Sequence, residues 1–209
     1  MHPPEQKDGR HKRSEATRGR LLEAAAELFC EFGFPGTTLD AIARRAGVNK
    51  ALIRYHFGGK KGIYSQVLLD AISIGRELLA PVRDLGGHAA EPLEAYVDAL
   101  GVFFERCPHF GPTIVREWMS AGANVEPEVM SEFLHFFNVD REILETGQRK
   151  GELRATDPHA THLALLGSLV FFQITRAVRQ THARPDVPAL DTETFRNHVK
   201  EFLRLGLRP

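Results

Sequence analysis

The chain has 209 residues, with 27 Lys+Arg against 27 Asp+Glu, so its net charge of zero carries no overall basic excess pointing to a polyanionic partner. Its 43% hydrophobic and 26% charged residues are an ordinary globular balance that excludes a disordered or collagenous chain, and the length permits one domain or two. Two cysteines, Cys30 and Cys107, are too few for a disulfide framework and suit a reducing cytosol.

The charges are unevenly spread. Residues 1–61 hold 12 Lys+Arg and 7 Asp+Glu, whereas residues 62–209 hold 15 and 20. A basic N-terminal third on an acidic remainder suggests two parts with different partners. The opening MHPPEQKDGRHKRSEATR has no apolar core and does not read as a signal peptide. The longest apolar run, 163–174, is too short to span a bilayer. The expectation is a soluble, cytoplasmic protein with no membrane partner.

In chain order, residues 1–13 are polar and proline-containing and are expected to be a disordered basic arm. From there the apolar pattern is helical throughout, with no alternating strand and no hairpin signal, which predicts an all-α chain of about nine helices. The first helix spans about 14–32, with Leu21, Ala25, Leu28, Phe29 and Phe32 on one face and Gly33 as its stop. The second spans about 38–46, capped by Thr37 or Thr38, with Asp40 in its first turn and Gly47 at its end. The third is about two turns long, capped by Asn49 and closed near Gly58 and Gly59. The fourth runs about 60–80, halted by Pro81, and a loop follows over 84–90. The fifth spans about 92–106 and the sixth about 113–121. The last three span 127–150, 158–182 and 192–206, with Pro185 and Pro188 marking a loop between the final two.

The stretch TTLDAIARRAGVNKALIRYHFGGKKG has the form helix, tight turn, short helix. Gly47 lets the chain turn, and Val48, Ile53 and Phe57 anchor the short helix on its neighbours. The opposite face then presents Lys50, Ala51, Arg54 and Tyr55, with Ala51 small enough for close approach in a DNA major groove. Lys60, at the start of the next helix, is placed to meet a phosphate.

Residues 18–69 resemble the DNA-binding domain of the TetR family of transcriptional regulators. The likeness is carried by LLEAAAELFCEFGFPGTTLDAIARRAGV followed by NKALIRYHFGGKKGIYSQVL. It includes the Gly-aromatic step, the paired threonines, Ile-Ala, Ala-Gly-Val, and the short helix ending in Phe and followed by Lys. The wording NKALIRYHFGGK is closest to a TetR subgroup linked to antibiotic-sensitivity genes. The resemblance implies an N-terminal helix-turn-helix DNA-binding domain over 14–62, with a helical ligand-binding and dimerisation domain over 63–209. It makes the third helix the recognition helix and puts Thr38, Lys50, Ala51, Leu52, Arg54, Tyr55, His56 and Lys60 at positions that touch DNA. Arg54 is a departure, standing where many members carry tyrosine; phosphate and guanine are both open as its target. The arm residues Lys7, Arg10, Lys12 and Arg13 can enter the minor groove or stay idle, and Arg44 and Arg45 can meet phosphate or solvent.

One short recognition helix reads few base pairs, so a homodimer on a palindromic operator is expected. The helix over 158–182 is apolar almost all round, and the one over 192–206 has a single apolar stripe. Their Leu166, Val170, Ile174, Phe195, Val199 and Phe202 are the candidate dimer surface. A ligand-release mechanism, as the family implies, needs an inducer pocket in the aromatic-rich remainder. Phe104, Arg116, Trp118, His135, Phe137, Asn138, Phe172, Gln173 and Arg176 are its candidates, for a ligand that is apolar or aromatic. His159 and His162 lie three apart near Asp157 but read as solvent-facing, and no third ligand stands at a convincing spacing; no metal and no cofactor are expected. Without Gly-x-Ser-x-Gly, a phosphate loop or a dinucleotide fingerprint, no enzyme is expected. A helical adaptor would explain the acidic remainder but not the basic N-terminal third.

Overall fold

The computed structural model describes residues 5–136, 138–182 and 190–209, together with their side chains apart from those of 5–11 and 135–136. Every regular element among the described residues is a helix, as the sequence predicts. In chain order they are α1 (Glu5–Gly36), α2 (Leu39–Ala46), α3 (Ala51–Phe57), α4 (Lys60–Arg83), α5 (Ala90–Arg106), α6 (Phe110–Met119), α7 (Pro127–Phe136), α8 (Val139–Arg149), α9 (Pro158–Ile174), α10 (Arg176–Thr181) and α11 (Thr192–Gly206). The chain divides into two units, Met1–Asp70 with Pro112–Met130, and Ala71–Gly111 with Ser131–Pro209.

In the first unit, the apolar face of α1 predicted from its spacing is buried: Leu21, Ala25, Leu28 and Phe29 are closed off from solvent, together with Ile42 of α2, Ile53 of α3 and Ile63 of α4. Each large side chain of this kind contributes about 1.5–3 kcal/mol on burial. Phe32, expected on this face, is exposed. Gly33 has φ 68° and ψ 175°, so the helical path of α1 breaks there. Buried Thr37 closes the break, its hydroxyl lying 2.9 Å from the Leu28 carbonyl and 2.8 Å from that of Gly33. Phe29 and Phe34 both pack on Tyr64, at 4.7 and 5.0 Å between ring centres. The Tyr64 hydroxyl donates to buried Glu117 of α6 at 2.8 Å, and the same carboxylate accepts from the Asn124 amide at 3.2 Å. These hydrogen bonds satisfy a carboxylate that would otherwise be costly inside a core.

In the second unit, α5 is the central helix, with Leu93, Tyr96, Val97, Leu100, Phe103 and Phe104 all buried. Leu144 of α8, Leu165, Leu166, Leu169 and Val170 of α9, and Val199 and Leu203 of α11 complete this core. Lys200–Asp98 at 3.0 Å and Arg204–Glu94 at 2.7 Å tie α11 along α5. Phe172 stacks on Phe195 at 4.1 Å, and the Arg154 N–H donates to the Leu207 carbonyl at 3.0 Å. With these contacts at opposite ends, α9 and α11 run antiparallel.

Several boundaries differ from the sequence reading. α1 starts at Glu5 rather than near 14; no proline stands between Pro4 and Pro35, and propagating an existing helix gains one bond per residue fixed. Residues 1–4 of the expected arm and the side chains of Lys7 and Arg10 lie outside the described residues, as does the proline loop over 183–189. Pro81 sits inside α4 rather than ending it, because so close to the C-terminus the helix forfeits little beyond one hydrogen bond. The helix expected over 127–150 is two, α7 and α8, with Asn138 opening the second. The helix expected over 158–182 is also two, with side chains adding hydrogen bonds to the last carbonyls of α9 at Thr175. The Thr175 hydroxyl donates to the Phe171 carbonyl at 2.7 Å, and the Arg179 guanidinium, 3.8 Å over the Phe172 ring, donates to the Phe172 carbonyl at 2.6 Å.

Candidate nucleic-acid interface

The turn between α2 and α3 is set by local chemistry. Thr38, not Thr37, caps α2, its oxygen accepting from the Ala41 N–H at 3.1 Å. That leaves the hydroxyl proton free to donate outward. Gly47, at φ 65° and ψ 37°, ends α2 in the left-handed conformation that glycine adopts without penalty, and the Val48 N–H closes on the Ala43 carbonyl at 3.0 Å. The Asn49 side chain then accepts from the Ala51 N–H at 2.8 Å, starting α3. Of the three expected anchors, Ile53 is fully buried while Val48 and Phe57 are half-buried, with the Arg18 guanidinium 5.5 Å from the Phe57 ring centre.

This anchoring turns one face of α3 outward. Ala51, Arg54 and Tyr55 are exposed at helical spacing, Tyr55 at 78%. His56 is half-buried, its ring 5.0 Å from that of Tyr55 and 6.0 Å from that of Phe57, and Leu52 is half-buried as well. Lys50 does not project freely: its ammonium is 2.7 Å from the Asp40 carboxylate on α2. Arg45 is likewise bonded to Glu27 of α1, whereas Arg44 is exposed. Lys60 turns inward, its ammonium 4.4 Å from the Phe34 ring centre and donating to the Pro35 carbonyl at 3.4 Å; partial burial holds its pKa below the ordinary lysine value. To meet a phosphate, Lys60 must leave that ring.

Gly62 fixes the angle between α3 and α4. A Cβ there would overlap the Phe57 carbonyl at the end of α3, and backbone cannot swing aside as a side chain can. Gly62→Ala is therefore expected to destabilise the fold by about 1–3 kcal/mol and to shift α3. Thermal unfolding and DNA affinity should both fall; an unchanged Tm would show that the α3–α4 turn yields freely.

The expected ligand residues fall in both units. Arg116 and Trp118 belong to the first unit, where Arg116 donates to the Glu31 carbonyl at 3.3 Å and Trp118 is exposed. Phe104 and Phe172 are buried in the second unit, Asn138 and Gln173 are half-buried and Arg176 is exposed. The side chains of His135 and Phe137 lie outside the described residues. Two cavities in the second unit, of about 220 and 280 Å³, are lined by other residues, including Leu93, Leu153, Leu203 and Arg208 in one and Val82, Pro92, Ile143 and Thr146 in the other.

The second unit also holds a buried polar group that the sequence does not announce. Asp140 is 0% exposed, and both of its oxygens lie near His162 Nδ1, at 2.8 and 3.0 Å. His162 is thus not solvent-facing as the sequence suggested, whereas Asp157 caps α9 by accepting from the Ala160 N–H at 2.8 Å. Burial first, and then the charge of Asp140, holds the Tyr96 phenol well above its ordinary pKa. The dimer candidates divide too. Leu166, Val170 and Val199 are buried within the unit, and Ile174 and Phe195 are half-buried. Phe202 is exposed at 72%, as are Phe171 at 64%, Leu163 and Leu205.

Residues 21–67 match the family model described as bacterial regulatory proteins, tetR family. The HTH-type transcriptional regulator TtgW of Pseudomonas putida is 44% identical over 55 residues, 26% of this chain and 41% of that one, so the aligned segment spans less than half of that relative. The HTH-type transcriptional repressor NicS of Pseudomonas putida is 28% identical over 166 residues, covering 78% of each chain. Among solved structures, the TetR family transcriptional regulator PfmR from Thermus thermophilus is 26% identical with a TM-score of 0.69, covering 88% of this chain and 97% of that one. With the α2–turn–α3 geometry, these likenesses make the chain a helix-turn-helix transcriptional regulator rather than an enzyme, with a tetR-family DNA-binding segment over residues 21–67.

Proposed function

We propose that this protein is a cytoplasmic, homodimeric repressor that binds a palindromic operator and is released from it by a small apolar or aromatic molecule. The observation that carries the reading is the outward face of α3, where Ala51, Arg54 and Tyr55 are exposed together while Ile53 is fully buried. A small residue flanked by a cation and an aromatic suits close approach to base edges and phosphates. The likeness to the repressor NicS supports repression. Thr38, with its free hydroxyl proton, and Arg44 are suited to phosphate, and Lys50 and Lys60 join them if they leave their present partners. Among the described residues no helix is long and apolar enough to cross a membrane. For the ligand, the aromatic core of the second unit offers buried Asp140 and Tyr96 and partly buried His162 as polar groups, a mixture suited to a mainly apolar guest with one hydrogen-bonding group.

Burial shifts the proposed dimer surface. Side chains spent on the core of the unit have little area left for a partner, so the proposed contact centres on Leu163, Phe171, Phe202 and Leu205 of the antiparallel α9 and α11. Two such pairs form a four-helix interface with twofold symmetry and set two recognition helices on half-sites about 34 Å apart, or a multiple of it. Phe171→Glu with Phe202→Glu is expected to give a monomer by sedimentation and to abolish tight operator binding, with the helical signal intact. A double variant that remains dimeric would place the interface elsewhere. The function itself is tested by selecting from a pool of duplexes with a randomised centre: wild-type protein should enrich an inverted repeat, and enrichment of nothing would refute DNA recognition.

A further inference from the structure

Within the outward surface of α2 and α3, one group has the wrong sign for a polyanion. Asp40, in the first turn of α2, is exposed and holds the Lys50 ammonium at 2.7 Å. The pair is open to solvent on both sides, with side chains 42% and 65% exposed for Lys50 and Asp40, so it adds little to stability. Its effect falls on what the surface binds.

We infer that Asp40 is a specificity-determining residue of the DNA interface, which keeps Lys50 from acting as an indiscriminate phosphate clamp and holds it for one position on the selected sequence. The inference rests on the DNA-binding reading above. Non-specific affinity comes from the number of phosphates neutralised and is indifferent to sequence. A lysine paired with a carboxylate must give up that pairing before it adds to that number. Asp40 also sets a carboxylate beside the DNA, which repels phosphates in any register and accepts a hydrogen bond only from a donor such as the cytosine amino group. Both effects lower binding to wrong sequences more than binding to the right one. The neighbouring acid Glu27 pairs with Arg45 in the same way from α1, which leaves Arg44 and Arg54 as exposed cations of α2 and α3 with no carboxylate partner among the described residues.

The test uses the full-length protein, the duplex enriched by wild-type selection and a scrambled duplex of the same composition. Asp40→Asn frees Lys50 with little change of shape. It is expected to tighten binding to the scrambled duplex about threefold per subunit, hence about tenfold for a dimer, and to steepen the dependence of log K on log salt by about 0.9 per subunit. The ratio of enriched to scrambled affinity should fall. Lys50→Ala should weaken binding to both duplexes, because it leaves Asp40 unpaired toward the phosphates. Adding Asp40→Asn to Lys50→Ala should recover part of that loss. A purely structural role for Asp40 would lower Tm and move neither the salt slope nor the ratio. An unchanged ratio in Asp40→Asn overturns the inference while leaving DNA recognition standing, whereas wild-type protein that enriches no duplex removes both.

Discussion

Asp140→Ala is expected to cost about 1–3 kcal/mol of stability, the range for stranding a buried hydrogen-bonding partner. Asp140 is fully enclosed, in the first turn of α8, where the positive end of the helix dipole favours a carboxylate. His162 of α9 meets both of its oxygens, and Tyr96 of α5 lies in the same core. Truncation leaves a void where the carboxylate stood and strands His162, largely buried, without its acceptor. His162→Leu should be costly for the converse reason, since it isolates a buried carboxylate. Because a well-packed apolar pair often replaces a buried polar pair at no net loss, Asp140→Leu with His162→Leu should be more stable than either single variant. Chemical denaturation of these variants and of Asp140→Leu alone gives the four values of the cycle. No measurable loss for Asp140→Ala would mean that the pair is not enclosed in solution; strictly additive losses for Asp140→Leu and His162→Leu would mean that the two side chains do not meet.

The features legible in the sequence are those whose causes lie close together along the chain. Thr38, Gly47, Asn49 and Gly58 each act on backbone groups within a few residues, so the ends of α2 and α3 could be placed from the chain alone. Ile53 could be assigned inward by spacing on a short helix flanked by those stops. Side-chain pairings were hidden. Asp140 and His162 are 22 residues apart on different helices, and neither residue type announces a buried partner. Asp40 holding Lys50, and Phe34 drawing Lys60 inward, depend on how α2 and α1 pack and not on the motif that contains them. Helical periodicity also ran through the breaks at 138 and 175. At the second, Arg179 reaches back to a carbonyl seven residues earlier, a contact that a hydrophobic pattern does not encode. On α9, an apolar circumference could not reveal which side the core would claim, and the core took Leu166 and Val170 rather than Phe171.

Arg54→Ala is expected to weaken binding to the selected duplex by about 1–3 kcal/mol per subunit, or about fivefold to more than a hundredfold, doubled in free energy for a dimer that uses both copies. The substitution falls inside α3 on its exposed face, and alanine is the best helix former, so Tm and dimer mass should not change. Its pattern of loss also decides what Arg54 touches. A guanine read by two hydrogen bonds would be lost selectively, so the variant would tolerate base changes at one position of each half-site while its salt dependence changed little. A phosphate contact would be lost uniformly across sequences, and the salt slope would shrink by about one per subunit. Arg54→Lys separates the two again: lysine keeps the charge but lacks the planar fork, so it should preserve most of a phosphate contact and little of a guanine contact. Undiminished affinity in Arg54→Ala would show that α3 does not enter the groove, and the proposed interface would have to be abandoned, since Arg54 stands at the centre of the α3 face that the buried Ile53 leaves pointing outward.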